Sequence, residues 1–208
     1  MDGLLDLGGA VILFEFKHVV LSQEIKDSLD RTRLEEELRL KLVEDQDGEP
    51  KAVRQLANAA AAFRRGLIKT ASGPDAVIYP VVIVADCALE AFTVNSWVNR
   101  IFQEYAAGIP GEVRPLTLMS IQELEEALAH VHGNAFTWKE LLDSRFVRPE
   151  DESAARFTEV RLWSVHQAIH DLLTEKAAAA IPNEFRRKQF EEIASQTRSK
   201  YSRDSPSE

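Results

Sequence analysis

The chain has 208 residues, 45% hydrophobic and 28% charged, a composition that suits a globular protein with one substantial core. No apolar run approaches the roughly 18 residues of a membrane span, and the first residues lack the basic start of a secretory signal, so a cytoplasmic protein without a membrane partner is expected. The net charge of -9 argues against a protein whose main task is non-specific nucleic-acid binding, although Glu35, Glu36, Glu37, Glu44, Asp45 and Asp47 gather part of that acidity in one segment.

From Val11 to Leu21 nearly every residue is apolar, as in a strand buried on both faces. Asp6 through Gly9 is a turn signal ahead of it, which makes Asp2 to Leu5 the first arm of a hairpin. Side-chain alternation then puts Val11, Leu13, Glu15, Lys17 and Val19 on one face. A carboxylate and an ammonium in mid-strand cost roughly several kcal/mol unless they are paired or bind a ligand. Pairing across the turn predicts Asp2 at the level of Glu15. Two carboxylates and a lysine at one place suit a hard cation such as Mg2+, with the lysine orienting a bound water.

Residues 22–43 read as one helix with Leu29, Leu34, Leu38 and Leu42 as a partial stripe, ended by Gly48 and Pro50. A second helix runs from Lys51 to about Arg65 and presents Val53, Leu56, Ala60 and Phe63 to the sheet; by themselves Lys51, Arg54 and Gln55 are ordinary polar positions on it. Val77 to Ala85 predicts a buried strand in which Pro80 marks a bulge or a place needing no ladder donor. Asp86 reads as a turn former or helix cap, and Cys87, the one cysteine, excludes an internal disulfide and predicts a packed thiol.

Val94 to Tyr105 has helical spacing, and Val113 to Met119 reads as a short edge strand. Ser120 and Glu123 form a capping-box pattern whose helix buries Ile121, Leu124 and Leu128. His130 and His132 fit a helix C-terminus better than a metal pair. Thr137 opens a helix with Leu141 and Leu142, residues 147–153 read as a loop, and a last helix is expected from Ala154 to Ala180 on Leu162, Val165, Ile169, Leu172 and Leu173. In it His166 and His170 share a face, but Gln167 stands where the zinc-protease signature needs glutamate. The end of the chain, basic at Arg186 and Arg198, reads as a polar tail.

Asp2, a short hairpin and Glu15-Phe16-Lys17 on an apolar strand resemble the PD-(D/E)XK, or restriction-endonuclease-like, nuclease superfamily, and the order of elements extends the resemblance over roughly residues 1 to 120. It implies an α/β fold with a mixed sheet flanked by helices and a nuclease-like core over 1–135; the rest of the chain matches nothing in the superfamily and reads from its own residues as a helical extension over 136–197 and a disordered tail over 198–208. The resemblance also implies metal-dependent hydrolysis of nucleic acid, DNA foremost, with Asp2, Glu15 and the Phe16 carbonyl holding Mg2+ or Mn2+ and Lys17 positioning the water. Gln55 matches the glutamine that several branches place on the following helix, with Lys51 and Arg54 as phosphate contacts. The superfamily core ordinarily has a helix and a strand before the motif aspartate, where this chain has only Met1, so an N-terminally shortened core or one completed by a partner is expected.

Phosphate-binding and dinucleotide-binding glycine loops, a serine elbow and cysteine metal pairs are all absent from the sequence. A non-catalytic module of the same fold, with Glu15 and Lys17 as a buried pair and a protein or nucleic-acid partner, is the alternative. A homodimer is left open.

Overall fold

In the computed structural model, residues 1–28, 30–145 and 164–180 are described. The Gly8 and Gly9 pair turns the chain with positive φ angles of 71° and 103°, the conformation a tight hairpin needs and one that a side chain resists. Its arms are β1 (Gly3–Asp6) and β2 (Ala10–Lys17), antiparallel with Gly3 opposite Phe14 and Asp6 opposite Val11. Asp6 secures the turn by accepting from the N–H groups of Gly8 and Ser72, both at 3.0 Å, and from the Ser72 hydroxyl.

β3 (Val77–Val84) lies parallel to β2, and β4 (Thr117–Ser120) parallel to β3, which gives a four-stranded mixed sheet in the order β1-β2-β3-β4. Pro80 sits inside this buried strand without a bulge. Ile78 exchanges hydrogen bonds with the Glu112 carbonyl and the Arg114 N–H, and the ladder to β4 begins only at Val81, so the side of Pro80 that lacks a donor meets no strand. β2 stops at Lys17, four residues short of the expected Leu21, where the Val19 N–H turns back to the Lys17 carbonyl. Val113 makes only an isolated bridge to Ile78, so the expected edge strand shrinks to β4.

The single helix expected over 22–43 is three pieces: α1 (Gln23–Ser28), α2 (Arg31–Leu38) and a π-helical turn (Arg39–Val43). Asp30 explains the break, because its carboxylate accepts from the N–H groups of Thr32 and Arg33 and starts α2 afresh. α3 (Ala52–Arg64) packs on the sheet face of Val11, Leu13 and Val82 through Val53, Leu56, Ala60 and Phe63, with α4 (Phe92–Ala106) beside it.

α5 (Ile121–His132) carries the capping box of Ser120 and Glu123, but its inward face differs from expectation. Ile121 and Leu128 are 45% and 47% exposed, whereas Glu123 and Ala127 are buried. Glu123 turns inward because it has partners there: its Oε2 accepts the Ser120 N–H and its Oε1 the His166 N–H, both at 3.0 Å. Burial pushes the Glu123 pKa up. α6 (Trp138–Ser144) opens on a second capping box, Thr137 with Glu140.

In α7 (Val165–Ala180) the helix is described from Val165, and Ser164 just before it accepts the Gln167 N–H. The loop over 147–153, the helical start at 154–163 and the polar tail lie outside the described residues. The chain divides into two units, Met1–Ile169 and His170–Glu208, with α6 in the first. No helix among the described residues is long and apolar enough to cross a membrane.

Candidate active site

β2 brings its charged pair to the C-terminal end of the strand. Glu15 and Lys17 share the face covered by α3, with Val82 and Val84 beside them in register on β3. Glu15 is 1% exposed, yet its charge is met on both sides: Oε1 lies 2.7 Å from Lys17 Nζ and Oε2 lies 2.9 Å from the Met1 amine. A carboxylate so placed is tolerated only because cations have come in with it.

Asp2 reaches the same level. Its N–H donates to the Phe14 carbonyl and its Oδ2 accepts the Phe16 N–H, each at 2.9 Å, so the two hydrogen bonds bracket Glu15 along β2. The hairpin register therefore brings Asp2, Glu15, Phe16 and Lys17 to one end of the sheet. Gln55 stands on the flank of α3, one helical turn on from Lys51, with its Oε1 buried and lacking a hydrogen-bond partner. No hydrogen bond joins it to Asp2, Glu15 or Lys17 among the described residues.

Lys51 and Arg54 go separate ways. Arg54 Nη1 is 2.8 Å from both Glu44 Oε2 and the Gly48 carbonyl, and its guanidinium lies over the Tyr105 ring at 5.4 Å, so it is taken up in holding the loop before α3. Lys51 instead lines a recess of about 260 Å³ together with Lys17, His18, Val19 and Lys41. Sequence reasoning named Lys17 and Lys51 but not His18 or Lys41. The missing signal is the π-helical turn, which aims Lys41 Nζ at the Val20 carbonyl 2.9 Å away.

Other candidates disperse. Asp86 is buried and accepts from the Leu21 and Ala88 N–H groups and from Lys26 Nζ, 2.8 Å away; burial raises its pKa, but Lys26 and these donors outweigh that and hold it below the usual range. Cys87 is exposed rather than packed, because the strand has ended and a short 3-10 turn carries it outward. His166 pairs with Glu126 at 3.0 Å and His170 with Asp171 at 3.6 Å, each ring with its own carboxylate.

The donors at the end of β2 are hard oxygens, which suit Mg2+ or Mn2+, ions that take one or two carboxylates and keep several waters. Among the described residues no group of three His, Cys, Asp or Glu side chains could hold a metal. The chain matches no known protein family, no curated protein and no solved structure.

Proposed function

We propose that the chain is a metal-dependent nuclease of the restriction-endonuclease-like kind, acting on DNA. Glu15 carries the reading: a carboxylate 1% exposed stands 2.7 Å from the Lys17 ammonium, at the level where Asp2 adds a second carboxylate. Two carboxylates beside a lysine are the kind of set a divalent-cation hydrolase uses. The element order of hairpin, charged strand, packing helix and parallel strand is in keeping with it.

Asp2, Glu15 and the Phe16 carbonyl would hold Mg2+ or Mn2+, which offsets phosphate charge and acidifies bound water. Lys17 keeps N–H groups to spare after its bond to Glu15; these orient the attacking water and place positive charge beside the scissile phosphate. Gln55 stands on α3, the helix that packs on this sheet, with its Oε1 free of a hydrogen-bond partner. The burial of Glu15 also favours a second reading, a non-catalytic module of this fold in which the Glu15 and Lys17 pair is self-sufficient.

The test is cleavage of plasmid and single-stranded DNA with Mg2+ or Mn2+, using both the chain as given and one lengthened ahead of Met1, so that an amide replaces the ammonium at Glu15 Oε2. Cleavage that disappears in folded Glu15→Ala and Lys17→Ala is the expected result. Inertness of both wild-type forms, with no Mn2+ bound in calorimetry, would leave the non-catalytic module.

A further inference from the structure

The recess beside Lys17 is built, not incidental. Lys51 is the N-cap residue of α3 and its Nζ donates to the Leu40 carbonyl at 2.7 Å. That carbonyl is exposed to it by the π-helical turn, where the Glu44 N–H bonds to Arg39 and the Asp45 N–H bonds to Glu49 instead. Lys41 Nζ is held by the Val20 carbonyl at 2.9 Å and by Glu37 at 3.2 Å. Each ammonium is thus anchored by a backbone carbonyl and keeps N–H capacity for another acceptor, so little side-chain freedom remains to be lost on binding.

The charge is left uneven. Lys17 has Glu15 and Lys41 has Glu37, but Lys51 has no carboxylate within ion-pair reach among the described residues, and His18 makes no hydrogen bond or ion pair there. α3 adds the positive end of its helix dipole at Lys51, where no side chain caps it. In a chain of net charge -9 this is a local concentration of donors for an anion.

We propose that Lys17, His18, Lys41 and Lys51 form a pocket for a phosphate monoester, the terminal phosphate of a nucleic-acid strand. A recess of about 260 Å³ suits an end group rather than a strand in passage, and anchored ammoniums from three elements favour the greater charge of a monoester over a diester. The choice of nucleic acid rests on the nuclease reading; the phosphate chemistry does not.

The experiment measures binding of short single-stranded oligonucleotides to the full chain by fluorescence anisotropy in EDTA, where no metal-dependent hydrolysis intervenes. Strands with a 5′-phosphate, a 3′-phosphate or neither are compared. A phosphate at one end is expected to tighten binding about tenfold, and Lys51→Met or Lys41→Gln, each checked for folding by circular dichroism, to abolish that gain. Equal affinity for the three strands would overturn the pocket while leaving the cleavage assay to decide the nuclease reading. An end-phosphate gain in a protein that cleaves nothing would uphold the pocket and count against hydrolysis. A gain that persists in both lysine variants would overturn the assignment to these residues.

Discussion

Asp6 shows how much one side chain can settle. Its bonds from the Ser72 hydroxyl, foremost, and from Gly8 hold its pKa down from the ordinary 3.8 to about 2. A carboxylate lowered on folding contributes stability above its unfolded pKa and loses it as pH falls through the folded one, so the hairpin clasp is expected to hold at pH 3 and to fail toward pH 2. An NMR titration of the Asp6 carboxyl checks this, with Ser72→Ala expected to return it toward 3.8. Asp6 and Ser72 were not legible as partners, because nothing local in either residue reports a contact across 66 positions. The meeting of Glu15 and Lys17 was legible, since a period of two on one strand is local geometry.

Among the elements, α3 and the sheet could be read from apolar periodicity, whereas α5 could not. Its apolar residues Ile121 and Leu128 face outward because Glu123 has buried partners, and a polar network overrides the stripe. Ile121→Ser and Leu128→Ser are therefore expected to change the unfolding free energy from urea titration by less than about 0.5 kcal/mol each. Leu56→Ala, on the packed face of α3, should cost about 2–5 kcal/mol. Comparable losses at the two helices would contradict this orientation of α5. The break at Asp30 and the π-helical turn escaped sequence reading for a related reason: a charged, leucine-bearing segment scores as helix whether or not its register slips.

At the scale of the first unit, Arg145 ties together the elements at the β4 edge of the sheet. It is fully buried, its Nη2 is 3.0 Å from Asn95 Oδ1, and that same oxygen accepts the Leu118 N–H, so α4, β4 and the end of α6 share one polar centre. Burial pulls the Arg145 pKa down to about 10, still well above neutrality, and Glu123 supplies opposing charge. Arg145→Ala is expected to lower the unfolding free energy by about 3–5 kcal/mol in urea titration; a loss below about 1 kcal/mol would show the centre to be dispensable. Nothing in the periodicity of residues 138–145 announces it, because a basic residue at a helix end is ordinarily solvated. The Asp6 clasp has a consequence for how such a molecule assembles. β1 and β2 are adjacent in the chain and can pair early, but docking their turn on Ser72 closes a loop of 66 residues, at an entropic cost of about 4 kcal/mol. The hairpin that carries the charged end of β2 is thus a local product of the chain, whereas its clasp to Ser72 is a long-range one.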